Sequence, residues 1–169
     1  ETDRLKQIVN DIRLISKPGQ TNAKKVNMER AIEDVKTLFL NTPDWKSRIR
    51  LITKLEKDMT VFIDPVHLQQ ILWNLVKNAA ESIEGDGKIT ITLNSPRNKR
   101  IYLTIQDTGK GIDPEQAAHI FDPFYTTKHE GTGLGLSIIH RIIDAYDGMI
   151  DFESVPDKGT IFSLIFKNT

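Results

Sequence analysis

The chain of 169 residues balances 23 basic against 23 acidic side chains, is 38% hydrophobic and has no cysteine. That length suits one domain with room for a short appendage, and the neutral charge gives no reason to expect a nucleic-acid footprint or a membrane-surface helix. The composition excludes a disulfide framework, a thiolate metal site and a cysteine nucleophile; no signal peptide is present, and no run approaches the roughly 20 apolar residues of a membrane span.

Residues 2–17 place Leu5, Ile8, Ile12 and Ile15 at spacings of three, four and three. This is the a/d seam of a bundle or coiled coil, stopped by Pro18-Gly19. The seam either meets a partner helix outside the chain or folds back on its own domain. The chain begins at Glu1 rather than methionine, so it is expected to be a piece of something longer. Residues 19–25 read as a polar linker. Asn27 can cap a helix whose buried face is Met28, Ile32, Val35 and Phe39. Pro43-Asp44 marks a turn, Ile49, Leu51 and Thr53 alternate as a strand up to about Leu55, and Val61-Phe62-Ile63 is a short strand ended by Asp64-Pro65.

The next helix, over 66–83, carries the first chemical signal. At 100° per residue Leu68, Leu72, Leu75, Ala79 and Ile83 form one apolar arc, with Ile71 on its edge. Gln70, Asn74, Asn78 and Glu81 stack on the opposite side. Asparagine is a poor helix former, so two of them in mid-helix ask for a reason. A carboxamide oxygen suits Mg²⁺, which takes few protein groups beside water and substrate phosphates. A merely polar face is the other reading of this helix alone.

Glu84-Gly-Asp-Gly87 is a turn, and residues 88–94 pair with 100–106 as an antiparallel hairpin. Five of the ten glycines fall between Asp107 and Leu136. They occur in Asp107-Thr-Gly-Lys-Gly111, which leaves a strand, and in Gly131-Thr-Gly-Leu-Gly-Leu136, which opens a helical pattern. Amides of such a loop at a helix start form an anion site; tight surface turns are the alternative for either cluster alone. Residues 149–154 and 160–166 alternate and form a second hairpin about Pro156-Asp157-Lys158-Gly159. The elements predict an α+β two-layer sandwich: a mixed, largely antiparallel sheet of about five strands with three helices on one face.

These clusters together resemble the ATP-binding domain of the GHKL superfamily, and within it the histidine kinases of two-component signalling. Gln69-Gln-Ile-Leu-Trp-Asn-Leu-Val-Lys-Asn-Ala79 resembles the N box, and Asp107-Thr-Gly-Lys-Gly111 the G1 box. Phe121-Asp-Pro-Phe-Tyr-Thr-Thr-Lys128 resembles the F box, Gly131-Thr-Gly-Leu-Gly-Leu136 the G2 box, and Gly159-Thr-Ile-Phe162 a terminal signature. The F box, with Asn78-Ala-Ala-Glu-Ser82, is in the style of the nitrogen-regulation and sporulation kinases. The likeness covers about 26–168 and implies the Bergerat fold, with 26–169 as catalytic and ATP-binding domain. Residues 1–18 resemble the end of the second helix of a dimerisation and phosphoacceptor domain.

The resemblance implies ATP and Mg²⁺. It places Asp107 on the exocyclic amine of adenine, Asn78 on the metal with Asn74 one turn earlier, and Gly109 and Gly111 against the nucleotide. Gly131, Gly133 and Gly135 would form the phosphate-binding turn, with Thr132, Leu134 and Leu136 beside it. Residues 114–132 would be the ATP lid, with Phe121 and Phe124 docked on the domain and Thr126, Thr127 and Lys128 at the nucleotide. Ile112 and Thr160 complete the nucleotide-contacting set, and Asn74 and Lys128 the catalytic pair, with Lys128 reaching the γ-phosphate. Many relatives carry lysine or arginine three residues after the metal asparagine, where this chain has Glu81.

None of the four histidines suits the role of phosphoacceptor. His67 and His140 precede Leu68 and Arg141 rather than an acidic residue, and His119 and His129 lie in the lid region. The acceptor is therefore expected outside the chain. The resemblance then implies a protein-histidine kinase module working with its own dimerisation domain, in a homodimer, and with a response regulator. It implies a cytoplasmic setting, in a full-length protein that could be membrane-anchored, with no nucleic acid and no membrane contact by this piece. The alternatives are a GHKL-type ATPase, which would place a glutamate where Asn74 stands, and a nucleotide-binding module without kinase chemistry.

Overall fold

The structure, a computed structural model, describes residues 1–16, 22–97, 99–128 and 131–169, with the side chains of 14–16 also outside the description. The expectations for Ile15, Pro18-Gly19, His129 and the first part of the linker lie outside the described residues.

Helix α1 (Thr2–Ser16) leads to strand β1 (Lys24–Asn27), helices α2 (Met28–Leu40) and α3 (Pro43–Arg48), and strands β2 (Ile49–Leu55) and β3 (Thr60–Ile63). Then come α4 (Pro65–Ser82), β4 (Gly87–Asn94), β5 (Arg100–Asp107), the short α5 (Pro114–Ala117), α6 (Gly135–Ala145), β6 (Met149–Val155) and β7 (Gly159–Lys167). The main sheet runs β2-β4-β5-β7-β6; β1 and β3 pair separately. Only β2 and β4 are parallel within the five-stranded sheet, as expected for strands joined by a helical crossover, here through α4. Helices α2, α4 and α6 bury their apolar faces with the inward side chains of β4, β5 and β7 in one core. The α+β two-layer sandwich expected from the periodicity is the fold.

Local chemistry explains most boundaries. Asn27 caps α2 by accepting from the Arg30 amide at 2.8 Å, and Met28, Ile32, Val35 and Phe39 are all buried. Asp64 caps α4 through the Val66 amide, with Pro65 preset for the first turn. Two expectations need correction. Pro43-Asp44 begins a helix rather than a turn, because proline suits a first helical position and Asp44 pairs with Arg48 one turn later. Trp45 on that helix lies between Phe39 and Trp73, and Arg48 donates to the carbonyls of Ile83 and Gly85, fastening α3 to the end of α4. Lys24 and Lys25, read as linker, belong to β1, an exposed strand that alternation could not reveal.

Helix α4 is the central element of the helical layer. Its apolar arc is wider than expected, since Ile71, Val76 and Ala80 are as buried as Leu72 and Leu75. Leu72→Ala should therefore cost about 2–5 kcal/mol through lost burial and a residual cavity. Urea unfolding should show a lower midpoint with unchanged slope; a loss below about 1 kcal/mol would mean that α4 does not anchor the layer.

Candidate nucleotide-binding site

A cavity of about 860 Å³ opens along the polar side of α4. Gln70, Asn74, Asn78 and Glu81, the stack read from the sequence, all line it. Between Gln70 and Ser82 this wall rises about 18 Å at 1.5 Å per residue.

At the C-terminal end of α4 stands Asp107, the last residue of β5, with its side chain 5% exposed. Its Oδ1 accepts from the Gly109 amide at 2.8 Å, the Ser82 hydroxyl at 3.2 Å and the Thr160 amide at 3.3 Å. None of these bonds uses Oδ2. Burial pushes the carboxyl above the ordinary carboxylate range, against the lowering effect of the three donors. Gly109 itself does not line the cavity: a Cβ there would lie 2.0 Å from the Ser82 hydroxyl, so its missing side chain admits α4 rather than ligand. Gly111, with φ +72°, does line the cavity, and a Cβ on it would strike the Val155 carbonyl at 2.3 Å. The Ile112 amide donates to Ser154, whose hydroxyl is 2.8 Å from that of Thr160, so the turn after β5 is tied to β6 and β7.

The opposite boundary is the second glycine cluster. Gly131, Thr132, Gly133, Gly135 and Leu136 line the cavity, whereas Leu134 is fully buried in the core and its amide bonds to the Thr132 hydroxyl. Helix α6 starts at Gly135 with no side-chain cap, which leaves its first-turn amides open. Across from Gly135, the Asn74 Nδ2 is buried without a hydrogen-bond partner. A helix start and an orphaned donor facing the same space fit an anionic ligand.

The segment between the clusters lies over the cavity, with Thr126, Thr127 and Lys128 on its wall. Phe121 packs against His140 and Phe152 at ring distances of 5.4 and 5.8 Å, as expected. Phe124, 65% exposed, does not dock by its side chain; instead its backbone, at φ +67°, fits against Gly133, where a Cβ would come within 2.3 Å. The Lys128 ammonium bonds to Asn78 Oδ1 at 3.1 Å and to Glu81 Oε2. Two oxygens of α4 thus already hold a cation, and both are hard donors of the kind a divalent metal takes. Among the described residues no three acidic or histidine side chains cluster as a metal cage, so a metal here would depend on ligand oxygens as well.

Sequence reasoning missed Ser82 and Asp11, and it placed Glu81 in the polar stack without a role. Ser82 holds Asp107, Glu81 holds Lys128, and Asp11 on α1 accepts from Gln7 and, at 3.4 Å, from Gln70 at the far end of the cavity. Burial raises the Asp11 carboxyl above its ordinary value. Of the described histidines, His67 bonds to Tyr146, His119 to Asp122, and His140 pairs with Asp144. Among the described residues no helix is long and apolar enough to cross a membrane.

Residues 63–169 match the family described as histidine kinase-, DNA gyrase B-, and HSP90-like ATPase. The chain is 37% identical to sensor histidine kinase ZraS of Salmonella typhi across 97% of its own length and 35% of that protein. It is 35% identical to sporulation kinase A of Bacillus subtilis, over 98% of its length and 27% of the relative. It therefore spans about a third of the length of these curated relatives. The catalytic domain of histidine kinase ThkA superposes with a TM-score of 0.78 at 32% identity, covering 88% of this chain and 97% of that one. ThkA has also been solved with the response regulator TrrA, at 28% identity and a TM-score of 0.77, covering 99% of this chain and 49% of that one. The chain belongs to the histidine kinase-, DNA gyrase B- and HSP90-like ATPase family, and its fold is that of histidine kinase catalytic domains.

The buried state of Asp107 has a consequence for stability. With a raised folded value, the native domain keeps this proton where the unfolded chain has lost it. The group's contribution is therefore fully present at low pH and declines as pH rises through that folded value. In Asp107→Asn that decline is absent. Urea unfolding at a series of pH values should show the variant gaining on wild type as pH rises through the acid range, then running level. A constant difference would mean that the carboxyl is not perturbed.

Proposed function

We propose that this member of the family is the catalytic module of a sensor histidine kinase, binding ATP with Mg²⁺ and donating the γ-phosphate to a histidine of a dimerisation domain outside residues 1–169. The observation that supports it most is the linear order along α4. A buried carboxylate with one oxygen outside its three hydrogen bonds stands at its C-terminal end, then a pair of oxygens holding a cation, and an orphaned amide donor beside the open start of α6. This is the order of purine, inner phosphates and terminal phosphate in ATP. The roughly 12 Å rise from Ser82 to Asn74 suits a nucleoside triphosphate.

In this reading Asp107, held by three donors on Oδ1, presents its other oxygen to the exocyclic amine of adenine, where guanine carries a carbonyl. Asn78 is a ligand of Mg²⁺, which when bound offsets phosphate charge. Lys128 serves the γ-phosphate, and the amides of the 131–136 turn and the Asn74 amide hold the remaining phosphate oxygens. The protein contributes position and charge rather than a covalent intermediate. Asn74 offers no carboxylate to activate water, which favours transfer over hydrolysis. Beyond Asn74 the cavity ends at Gln7 and Asp11 of α1, so the transferable end of the nucleotide faces the helix that we assign to the dimerisation domain. Leu5, Val9 and Ile12 are exposed on α1 and would meet the partner helix of a homodimeric bundle. Residues 26–169 are then the catalytic unit, a response regulator takes the phosphate onward, and the module works in the cytoplasm.

Calorimetry should show ATP binding strengthened by Mg²⁺ and GTP binding far weaker, since a site built for one hydrogen-bonding group can reject analogues by up to about 10⁴-fold. Equal affinities would remove the assignment of Asp107. Mixed with a separately made dimerisation domain and γ-labelled ATP, the chain should transfer label weakly in trans, because the effective concentration given by tethering is lost. The product should be acid-labile and alkali-stable, as phosphohistidine is. Rapid ATP turnover without such transfer would instead support a clamp-type ATPase.

A further inference from the structure

Glu81 lies on the cavity wall and is the partner of Lys128 from the facing segment. Its Oε2 and the Asn78 Oδ1, three residues apart on α4, point at one spot, and the Lys128 ammonium fills it. Lys77 approaches the other carboxylate oxygen at 4.0 Å, from the preceding turn. The lid around Lys128 is shaped for this reach: the Lys128 amide donates to the Thr126 hydroxyl at 3.0 Å, and a Cβ on Gly131 would lie 2.5 Å from that hydroxyl.

We propose that Asn78 and Glu81 form one two-oxygen cation site, with Glu81 its charged half and Lys128 its resting occupant, so that a divalent metal and the lid lysine compete for the same oxygens. The inference rests on the reading of Asn78 as a metal ligand and assigns Glu81 the second place beside it. The chemistry of the pair supports it. A carboxylate and a carboxamide are hard oxygen donors of the kind Mg²⁺ takes, and an ammonium bound between them marks a point of negative potential. A divalent ion with nucleotide phosphates outcompetes a single charge there. Lys128 then leaves α4 carrying its charge on the lid, free to meet the phosphate that arrives with the metal. The exchange couples metal entry to lid rearrangement without a further element.

The test is the gain in ADP affinity on replacing EDTA by Mg²⁺, measured by calorimetry; ADP has no γ-phosphate, so the phosphate role of Lys128 does not intervene. Glu81→Gln should cut that gain by about 10–100-fold, the scale seen when a group supporting a metal is lost. Lys128→Met should raise it a few-fold, as expected on removing a partly exposed ion-pair competitor. Glu84→Gln removes the same charge just beyond α4 and should leave the gain unchanged. An unchanged gain in Glu81→Gln, an equal loss in Glu84→Gln, or no rise in Lys128→Met would each overturn the proposal. ADP affinity in EDTA reports that each variant retains its site. No Mg²⁺ gain in the wild-type chain would instead remove the underlying assignment of Asn78.

Discussion

The site depends on one buried carboxylate oxygen. Asp107 Oδ1 gathers the Gly109 amide, the Ser82 hydroxyl and the Thr160 amide, which come from the turn after β5, the end of α4 and the start of β7. Helix layer and sheet are thereby joined at the mouth of the cavity. The glycines around it are needed for the same join: a Cβ on Gly109 would strike Ser82, and one on Gly159, at φ +119°, would sit 2.0 Å from the Asp107 carbonyl. Burying an ionisable group is unfavourable, and its raised pKa records that. In the proposed nucleotide reading that cost has a use, since a fixed, partly desolvated acceptor discriminates among ligands better than a solvated one.

How much of this was legible in the sequence follows from how local each signal is. The polar stack on α4 and the capped face of α2 are set by the helical period, and both appear where the spacing puts them. The β4–β5 and β6–β7 hairpins follow from alternation and turn residues in the same way. Strand β1 was missed because Lys24 and Lys25 are exposed on a small two-stranded sheet, where no burial pattern is imposed. Helix α3 was missed because Pro43-Asp44 suits a turn as well as a helix start, and only Trp45 between two aromatic rings decides it. Through motif membership Phe124 was read as docked on the domain and Leu134 as standing beside the phosphate turn. Their places, backbone against Gly133 and side chain in the core, come from tertiary packing that a motif does not encode.

The contacts of Glu81 and Asp11 join positions 47 and 59 residues apart in sequence, so spacing could not announce them. Both sit on the cavity wall, one under the lid and one on α1, the two elements that would have to respond to nucleotide. The same cavity is thus lined by the segment between the two glycine clusters and by α1.

The central claim is that the space along α4 is a nucleotide site covered by a responsive lid. Hydrogen exchange with and without a non-hydrolysable ATP analogue and Mg²⁺ addresses it most directly. Slowed exchange should appear in residues 107–112, the segment over 114–132 and the first turn of α6, with β1 and β3 unaffected, because no residue of those two strands lines the cavity. The account would be contradicted if the lid amides exchanged slowly without nucleotide and stayed unresponsive to it, or if protection appeared at the β1–β3 sheet instead.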